Sequence, residues 1–503
     1  MDLLKISFTK EDTLMSIVTL LEDFVIDLLK AEEDFIDNPV HMGIFEKRVV
    51  EASLKTAAGF MAMVLEDTDT LIRNSRARKD GYNIHRKDKR TLITTAGDVT
   101  YNRTLFKERS TGKYRYLLDD MMHLPKHERF SVNAEVKALS EAEVHSYQHA
   151  ADSLCIGGQT VSKTAVMEKI HAITEELPEE NPVPDDKKKC CEYLYIEADE
   201  DHIHSQKCDD DNKGIIGKLI YVFEEKEDVC KGRRKLIGTH YHGGLYKGSE
   251  ENKKLWEEVQ EYIESHYNSE FLKKVYICSD GGGWIKAGTD YVDKSLLIAD
   301  KFHLMKYINK VSNLMIEKDK DGNNDKTKAD KVKAKIYKYI YKNNQLALKK
   351  MLGRIRNQKG HDTLIKDVRT YFVNNWDAIQ RAFHDKNALG CSAEGHVSSV
   401  FSERMSSRPM GWSEIGSDRM CRLRCYVRNN GREKIVDLVE YRRAKQYEPL
   451  EATGTDGIII SMPKEHYSEA QREAMKYAEA MYAPLFGPTV KKILSIRERI
   501  SDI

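Results

Sequence analysis

The stretch VYICSDGGG, from Val275 to Gly283, carries most of the information about fold and chemistry in this chain. Its apolar and β-branched residues predict a buried strand. Ser279-Asp280, followed by three glycines, predicts a turn that leaves the Asp280 carboxylate at the rim of a sheet. An Asp in this position is also common in ordinary strand-to-turn connections. Asp280 therefore indicates a catalytic site only in combination with the other acidic segments of the chain.

Two further segments supply carboxylates. The predicted strand Tyr193–His202, YLYIEADEDH, ends in acidic residues, and the segment Cys391–His396, CSAEGH, contains Glu394. Carboxylate oxygens are hard ligands that suit Mg²⁺ and Mn²⁺. Three carboxylates delivered from separate parts of the sequence suggest a metal-binding catalytic centre.

The composition indicates a soluble protein with one locally basic segment. The chain has 503 residues, of which 40% are hydrophobic and 32% are charged, and its 81 basic residues balance 81 acidic ones. Residues 301–390 nevertheless contain 21 Lys and Arg against 9 Asp and Glu, a local net charge of +12. This asymmetry favours a polyanionic partner such as DNA, although a solvated helix face would have the same composition.

The sequence predicts a bacterial cytoplasmic, nucleoid-associated protein with no membrane partner. The start, MDLLKISFTKED, lacks the basic and apolar regions of a secretory signal, and no apolar run approaches the length of a membrane span. The nine cysteines contain no C-x-x-C pair, which favours reduced thiols over a zinc site.

Residues 191–303 have the pattern of an α/β domain. Three strands, a helix, a strand, a helix and a strand follow one another, which is the order of a ribonuclease-H-like fold. In that fold the first and fourth strands lie side by side in a mixed five-stranded sheet, so acids at their ends can meet. The predicted strands are Cys191–Asp199, Gly217–Glu224, Arg233–Tyr241, Phe271–Asp280 and Lys294–Asp300, with a helix at Trp256–Tyr267.

A helix-turn-helix is predicted within residues 131–175. One helix ends near Leu154, a short glycine turn follows, and Thr160 caps the second helix. Lys163 and Lys169 would then face DNA, although helix pairs of this kind are also common without a role in DNA binding.

The predicted fold class is α/β, with a ribonuclease-H-like catalytic core, an all-α insertion and a helical N-terminal DNA-binding region. The expected parts are a helical N-terminal region (1–85), a small antiparallel β region (86–130), a helix-turn-helix-like region (131–175), a linker (176–190), the first part of the core (191–303), a basic all-α insertion (304–390), the last part of the core with the third acid and basic helices (391–447) and a C-terminal tail (448–503).

The motifs D…SDGGGWIK…ADKFHL…CSAEGHVSSVFSERMSSRPMGWS resemble those of the DDE transposases of bacterial insertion sequences, in the Mutator-like branch. They are most similar to those of the ISLre-two family, long filed as a protein family of unknown function. The resemblance covers most of the chain. It implies catalytic, metal-binding acids at Asp199, Asp280 and Glu394. It also implies that the family's Asp/Cys-x-x-His motif falls on Asp300 and His303.

Some site assignments keep alternatives. Asp201 and Glu197 share a strand face with Asp199 and are alternative first acids. Glu394 to Met405 is predicted to be a helix with Val397, Val400 and Phe401 or Met405 on its buried side. Within it, Glu403 competes with Glu394 as the third acid, or forms a salt bridge with Arg404 or Arg408. His303 is predicted to orient a phosphate or transfer a proton, or else to be a structural histidine beside Asp300.

The resemblance implies an enzyme that cleaves DNA at the ends of an insertion sequence and joins them to target DNA, with Mg²⁺ or Mn²⁺ as cofactor. Its partners would be double-stranded DNA, from the inverted repeats and the target, and further copies of the chain in a dimer or larger oligomer. The alternatives are a nuclease that cuts without joining, or an inactive, domesticated DNA-binding protein. Basic residues must surround such a carboxylate cleft for DNA to enter it.

Several side chains are predicted to contact DNA. Trp412 is expected either to stack on a flipped base or to be buried in the core. The predicted phosphate contacts are Lys163, Lys169, Lys286, Arg404, Arg408, Arg419 and Arg422.

Overall fold

The computed structural model describes residues 10–156, 159–174, 177–178, 183–206, 214–230, 233–318 and 324–446. The predicted tail (448–503) and the two turn glycines, Gly157 and Gly158, lie outside the described residues. The described part has a mixed α/β architecture with a five-stranded mixed sheet and many helices. Among the described helices, none is both long enough and apolar enough to cross a membrane.

The N-terminal part is a helical hairpin packed on a small antiparallel sheet. Its elements are α1 (Lys10–Asp37), α2 (Met42–Asn74), α3 (Arg76–Gly81), β1 (Tyr82–Thr94), β2 (Gly97–Glu108), β3 (Tyr114–Arg115) and α4 (Leu117–Met121). The buried Asp69 of α2 accepts hydrogen bonds from the backbone N–H and the hydroxyl of Thr104. A buried carboxylate with two donors therefore fixes the helix against β2.

Three short helices follow, at α5 (Val132–Val144), α6 (Tyr147–Ser153) and α7 (Lys163–His171). The side chain of Ser162 accepts a hydrogen bond from the Ala165 N–H, so Ser162 caps α7 and the prediction of Thr160 as the cap was wrong. Val166 and Ile170 are buried, so α7 has one face in the core.

The central sheet is built from five of the next strands. The elements are β4 (Tyr193–Ile203), β5 (Ile215–Phe223), β6 (Glu225–Cys230), β7 (Arg233–Ile237), β8 (His240–Gly244), α8 (Gly248–His266), β9 (Lys274–Ser279), α9 (Gly283–Lys286) and β10 (Ser295–Ala299). The order across the sheet is β10-β9-β4-β5-β8. β4 pairs in parallel with β9 and antiparallel with β5, so the first and fourth strands of the sheet are neighbours, as predicted.

Two strand predictions differ from the structure. The predicted third strand, Arg233–Tyr241, is divided between β7 and β8 at Gly238, which has a φ of +63°. β7 pairs with β6 in a separate hairpin, and only β8 joins the central sheet. The first strand also continues beyond Asp199 to Ile203. Asp199 therefore lies within β4, because its register with β5 is unbroken over that length.

The two faces of the sheet support separate apolar cores, as strand alternation requires. Leu194, Ile196 and Ile277 pack with Trp256 of α8 on one face. Tyr195, Tyr276 and their neighbours on the other face pack with the helices of residues 393–439. A third core belongs to the helices inserted after β10.

The insertion consists of α10 (Lys301–Asn313), β11 (Glu317–Lys318), β12 (Asn324–Asp325), α11 (Thr327–Tyr341), α12 (Gln345–Lys359), α13 (Asp362–Asn374) and α14 (Trp376–His384). Its described residues form helices apart from β11 and β12, which are strands of two residues each. Apolar residues of its helices, such as Ile336, Leu352 and Phe372, are buried together. Many of its lysines and arginines are exposed.

The last described part returns to the sheet. It contains α15 (Ala393–Val397), a π-helical turn at Ser398–Ser402, α16 (Glu403–Met405), α17 (Glu414–Asn430) and α18 (Ile435–Gln446). Val397, Val400, Phe401 and Met405 are buried, which confirms the predicted buried side of this helical segment. Phe401 reaches the sheet where β5 and β8 carry Gly217 and Gly243.

Gly243→Ala is expected to destabilise the fold. An added Cβ would lie 2.8 Å from both the Lys218 carbonyl oxygen and Cζ of Phe401, so the sheet or the buried ring must shift. Overpacking of this kind costs about 1–3 kcal/mol. The measurement is the free energy of unfolding by chemical denaturation.

Gly353→Ala is the matched control. Gly353 lies inside α12 and a Cβ there meets no atom within 4 Å, so alanine should stabilise the helix by about 0.5–1 kcal/mol. Equal changes in the two variants would contradict the packing of Phe401 against Gly243.

Candidate active site

Asp199 and Asp280 lie at the same end of two neighbouring parallel strands. The β4–β9 ladder ends at the pair Glu197 and Cys278, and each acid follows its member of that pair by two residues. The Asp280 carboxylate accepts a hydrogen bond from the Gly282 N–H at 2.7 Å, which fixes the turn after β9. The sheet thus brings together two acids that are 81 positions apart in the sequence.

The two carboxylates influence each other electrostatically. Burial raises the pKa of Asp199, and the negative charge of Asp280 raises it further, against a lowering by the backbone N–H of Glu200 and by His303. That N–H donates to Asp199 Oδ1 at 2.9 Å. Two like charges in a partly buried position are unfavourable without a cation.

His303 is held beside these acids by Asp300. Asp300 follows β10 and caps α10, where its carboxylate accepts a hydrogen bond from the Phe302 N–H. Its other oxygen lies 2.6 Å from His303 Nδ1. This bond raises the pKa of His303 despite partial burial, and Asp280 raises it further. Although burial opposes it, the hydrogen bonds from His303 and Phe302 hold the pKa of Asp300 below its usual value.

The insertion contributes one wall of the site through Tyr371. Gly281 has a φ of +109°, and a Cβ at this residue would lie 3.2 Å from the Tyr371 ring. Within the described residues the buried Tyr371 hydroxyl has no hydrogen-bond partner. Burial, followed by the charges of Asp300 and Asp280, raises the pKa of Tyr371. No sequence pattern points to this residue, since it lies 90 positions beyond the glycine that it covers.

Residues 385–406 run along the face of the sheet that carries the acids. Asp385 accepts a hydrogen bond from Tyr276, and the Asn387 carbonyl accepts one from Tyr195. Further along, Ser392 donates to Glu197 from both its backbone N–H (2.7 Å) and its hydroxyl (3.0 Å). At the far end the hydroxyls of Ser402 and Ser406 donate to Asp201, each at 2.9 Å. The segment therefore follows β4 from Tyr195 to Asp201.

Glu394 lies in the middle of this segment, between the contacts at Glu197 and at Asp201. Its side chain is exposed. The adjoining Cys391 thiol forms a hydrogen bond with Cys278, which together with burial holds the pKa of Cys278 well above its usual value. The chain thus enters α15 directly over the last pair of the β4–β9 ladder.

The structure does not bring the carboxylates of Asp199, Asp280 and Glu394 to the mutual distances of metal ligands. Within the described residues, Asp199, Asp280 and Glu394 do not form a set whose oxygens all lie within 4.8 Å of one another. Among the described residues, Asp199, Asp280 and His303 do not form such a set either. The charges of Asp280 and His303 act on Asp199, and Glu394 lies on the helical segment that crosses the same strand.

A family model matches residues 35–442 of the chain, a span that includes every residue of this site. The chain belongs to UPF0236, an uncharacterised protein family. The prediction of a family formerly filed as uncharacterised is confirmed at this level. The family description gives no activity.

Relatives within UPF0236 occur in Caldanaerobacter subterraneus subsp. tengcongensis. One is 33% identical over 413 residues, covering 81% of this chain and 82% of the relative, and its name joins eleven locus designations. A second is 32% identical over 413 residues, with the same coverage of each chain, and its name joins four.

One solved structure is similar to this UPF0236 chain, the Drosophila P element transposase strand transfer complex. The match has 9% sequence identity and a TM-score of 0.22, and it covers 64% of this chain and 92% of that chain. A TM-score of this size lies below the level that indicates a shared fold.

The alternative acids of this UPF0236 chain are occupied by internal contacts. Glu197 is buried and accepts hydrogen bonds from Tyr221, Lys226 and Ser392. Asp201 is bound by two serine hydroxyls, as described above. The exposed Glu403 lies 3.9 Å from Arg424, not beside Arg404 or Arg408 as predicted. Asp199 and Glu394 therefore remain the preferred first and third acids.

Two predicted DNA contacts are buried in the structure. Arg404 donates through Nε to the Ala142 carbonyl oxygen at 3.1 Å, and its guanidinium lies 4.9 Å from the centre of the Trp412 ring. Trp412 is buried and donates from Nε1 to the Met405 carbonyl oxygen. Neither side chain is accessible to DNA, so Arg404 was wrongly assigned to a phosphate and Trp412 is the core residue of the alternative prediction.

Three more predicted DNA contacts form internal ion pairs. Arg419 and Arg422 both bind Asp418, at 2.7 Å and 3.1 Å, on the side of α17 that packs against β8. Lys169 binds Glu128 and lies 3.8 Å from Glu135. These cations offset buried or half-buried carboxylates, which makes them poor ligands for phosphate. A basic helix packed on a sheet has the same composition as one that faces DNA.

The remaining predicted contacts keep some accessibility. Lys163 is exposed at the start of α7, Lys286 is half-buried, and Arg408 is half-buried with a hydrogen bond to the Val144 carbonyl oxygen. Lys306, which was not among the predicted contacts, is exposed three residues after His303. Its spacing from His303 along one helix was the signal that could have identified it.

Asp199→Asn is expected to stabilise the folded protein at neutral pH. The pKa of Asp199 is raised in the fold, so its ionised form opposes folding above the ordinary pKa of an aspartate. The penalty disappears as the pH falls through the raised pKa. Denaturant unfolding at pH 7, in the absence of divalent metal, measures the gain.

Glu197→Gln is the matched comparison on the same strand face. It removes the charge that pairs with the buried Lys226 at 2.7 Å, and breaking such a pair costs about 3 kcal/mol. Destabilisation by Asp199→Asn of the same size would show that Asp199 is a structural acid like Glu197.

Asp300→Asn is expected to lower the pKa of His303, because the hydrogen bond from Asp300 is the main cause of its elevation. The wild-type pair stabilises the fold between the lowered pKa of Asp300 and the raised pKa of His303, and this contribution is lost outside that window. Titration of the imidazole signals by NMR measures the shift. The exposed His85 serves as the internal control, and an unchanged His303 titration would contradict the pairing.

Proposed function

We propose that this chain is a DNA transposase that cleaves the ends of an insertion sequence and joins them to target DNA. Its catalytic centre would be the rim formed by Asp199, Asp280 and His303, with Glu394 as the third acid. The sheet order, in which the first strand lies between the second and the fourth, supports a ribonuclease-H-like core of the kind expected for DDE transposases of the ISLre-two family.

The observation that carries the proposal is the juxtaposition of Asp199 and Asp280. Within the described residues no Lys or Arg forms an ion pair with either acid, in contrast to Glu197, which pairs with Lys226. The pKa of Asp199 is raised by burial and by its acidic neighbour. A fold that keeps two such acids together loses stability in the absence of a cation, and this loss is understandable where the acids have a catalytic role.

The donor set fits Mg²⁺ or Mn²⁺. Asp199, Asp280 and Glu394 offer only carboxylate oxygens, the ligands preferred by these ions. A bound pair of such ions would activate the attacking oxygen and neutralise the leaving oxygen of a phosphodiester. Glu394 would complete the set from its exposed position on α15, which is anchored to β4 on both sides.

His303 and Asp300 would assist from the opposite side of the acids. Asp300 bonds to Nδ1 and so leaves Nε2 as the second nitrogen that can face a substrate. The raised pKa of His303 favours the protonated form, which can hold a phosphate oxygen or donate a proton to the leaving oxygen. The pair therefore supplies positive charge to a site otherwise lined by carboxylates.

The insertion would supply the basic surface that DNA needs. It carries the +12 segment of the chain, and Tyr371 of α13 adjoins the acid site. DNA that contacts these helices would therefore be close to Asp280. Exposed basic residues on it include Lys301, Lys306, Lys331, Lys335, Lys338, Lys342, Lys350, Arg354, Arg356, Lys366 and Arg369.

The relatives support a mobile element. A single protein name that joins eleven locus designations indicates the same sequence at many positions of one genome. Transposition produces that distribution directly, whereas a domesticated DNA-binding protein has no need of it. Two element ends must be held together, so the active form would be a dimer or larger oligomer on DNA, within the cytoplasm and nucleoid of a bacterium.

Cleavage of a labelled duplex that carries the element's own flanking end tests the proposal. With Mg²⁺ or Mn²⁺, wild-type protein should nick at the end and join the product to a second duplex. Asp280→Asn should reduce nicking by about 10²–10³-fold, the effect typical of removing a group that stabilises charge in the transition state.

Two glutamates of one helical segment provide the matched control. Glu394→Gln should abolish nicking, and Glu403→Gln should leave it unchanged, because Glu403 lies towards Arg424. Nicking without joining would identify a nuclease. Binding of the duplex without any nicking by wild-type protein would contradict an active enzyme.

A further inference from the structure

A second group of possible metal ligands lies outside the acid site of the central sheet, at the junction of α5 and α6. It consists of Glu141, His145 and His149. One ligand atom from each residue lies within 4.8 Å of the other two. In the part of the chain that the structure describes, this is the one group of three or more His, Cys, Asp or Glu side chains that meets this distance.

Local backbone structure brings the three side chains together. α5 ends at Val144, and His145 is its extended C-terminal cap, whose N–H donates to the Glu141 carbonyl oxygen. Ser146 then caps α6 by accepting a hydrogen bond from the His149 N–H. The residues are spaced four apart, so the first pair spans the last turn of α5 and the second spans the first turn of α6.

Their contacts are with one another. His149 Nε2 lies 3.8 Å from Glu141 Oε2, and the ring centres of His145 and His149 are 4.3 Å apart. A distance of 3.8 Å is too long for a hydrogen bond. In the described part of the chain, the two imidazoles and the carboxylate thus converge without side-chain hydrogen bonds that would otherwise explain their arrangement. The His149 side chain is 58% exposed, so it has room to move closer to the other two.

We propose that Glu141, His145 and His149 bind a zinc ion. Two imidazole nitrogens and one carboxylate oxygen suit zinc, whereas Mg²⁺ selects oxygen ligands. Zinc–ligand bonds of about 2.0–2.2 Å require a small closure of these side chains. Three protein ligands leave the fourth tetrahedral position to water. The site therefore differs in metal preference from the acids of the central sheet.

The zinc ion would stabilise the junction between the two helices. The end of α5 is also where arginines from the last part of the chain attach, because the carbonyl oxygens of Ala142, Glu143 and Val144 accept hydrogen bonds from Arg404, Arg424 and Arg408 respectively. A metal that fixes the α5–α6 turn would hold this attachment surface in place. It would thereby support the segment that follows Glu394.

Zinc binding by tag-free, chelator-treated full-length protein tests the proposal. Competition with a chromophoric chelator should give one zinc ion per chain. His149→Ala and Glu141→Gln should each weaken binding at least tenfold, and zinc should raise the melting temperature of the wild type more than that of either variant. Both side chains lie near the surface, and circular dichroism verifies that the variants fold.

The controls separate this site from other metal ligands. His85→Ala removes an exposed histidine whose ring packs on Tyr114, and it should bind zinc like the wild type. Asp280→Asn should also bind normally. Cobalt substitution should show no thiolate charge-transfer band. Failure of the wild type to retain zinc, equal affinity in His149→Ala, or a thiolate band would each overturn the proposal.

Discussion

The buried carboxylate of Glu197 is the contact on which the rest of the site depends. It accepts hydrogen bonds from Tyr221 of β5, from Lys226 of the β6–β7 hairpin and from Ser392 before α15. A buried charge requires partners of this kind, so any arrangement that moved the hairpin or Ser392 away would leave it unpaired. One side chain of the central strand therefore joins the sheet, the hairpin and the segment that leads to Glu394.

Asp199 lies two residues further along the same strand, and its surroundings differ from those of Glu197. Burial and the neighbouring Asp280 carboxylate raise the pKa of Asp199, and the one backbone N–H that donates to it only opposes this rise. Glu197 thus stabilises the fold through its partners, whereas Asp199 is the acid to which the proposed function assigns a role in catalysis. In the sequence both are carboxylates of the run Tyr193–His202, so the sequence alone does not separate Glu197 from Asp199 as the first acid.

Much of the fold could be predicted because strand and helix periodicities are local. The adjacency of the first and fourth strands, and the buried side of the helical segment from Glu394 to Met405, followed from such patterns. The β6–β7 hairpin was not predicted because the β pattern of residues 233–241 continues across Gly238, where the folded chain turns from β7 into β8. Arg404, Arg419 and Arg422 were misplaced because the sequence does not show which carboxylate or carbonyl a cation will meet in the folded chain.

The π-helical turn at Ser398–Ser402 determines the direction in which Glu394 points. Ser402 is anchored to Asp201, and Phe401 is fixed in the core, so the helix cannot rotate as a whole. Each residue of an α-helix advances by about 100° around the axis, and the π turn accommodates one residue more than an α turn. Without that extra residue, Glu394 would be turned by about a quarter of a revolution relative to β4. The π turn thus sets the angle around the helix axis between Ser402, which is bound to Asp201, and Glu394.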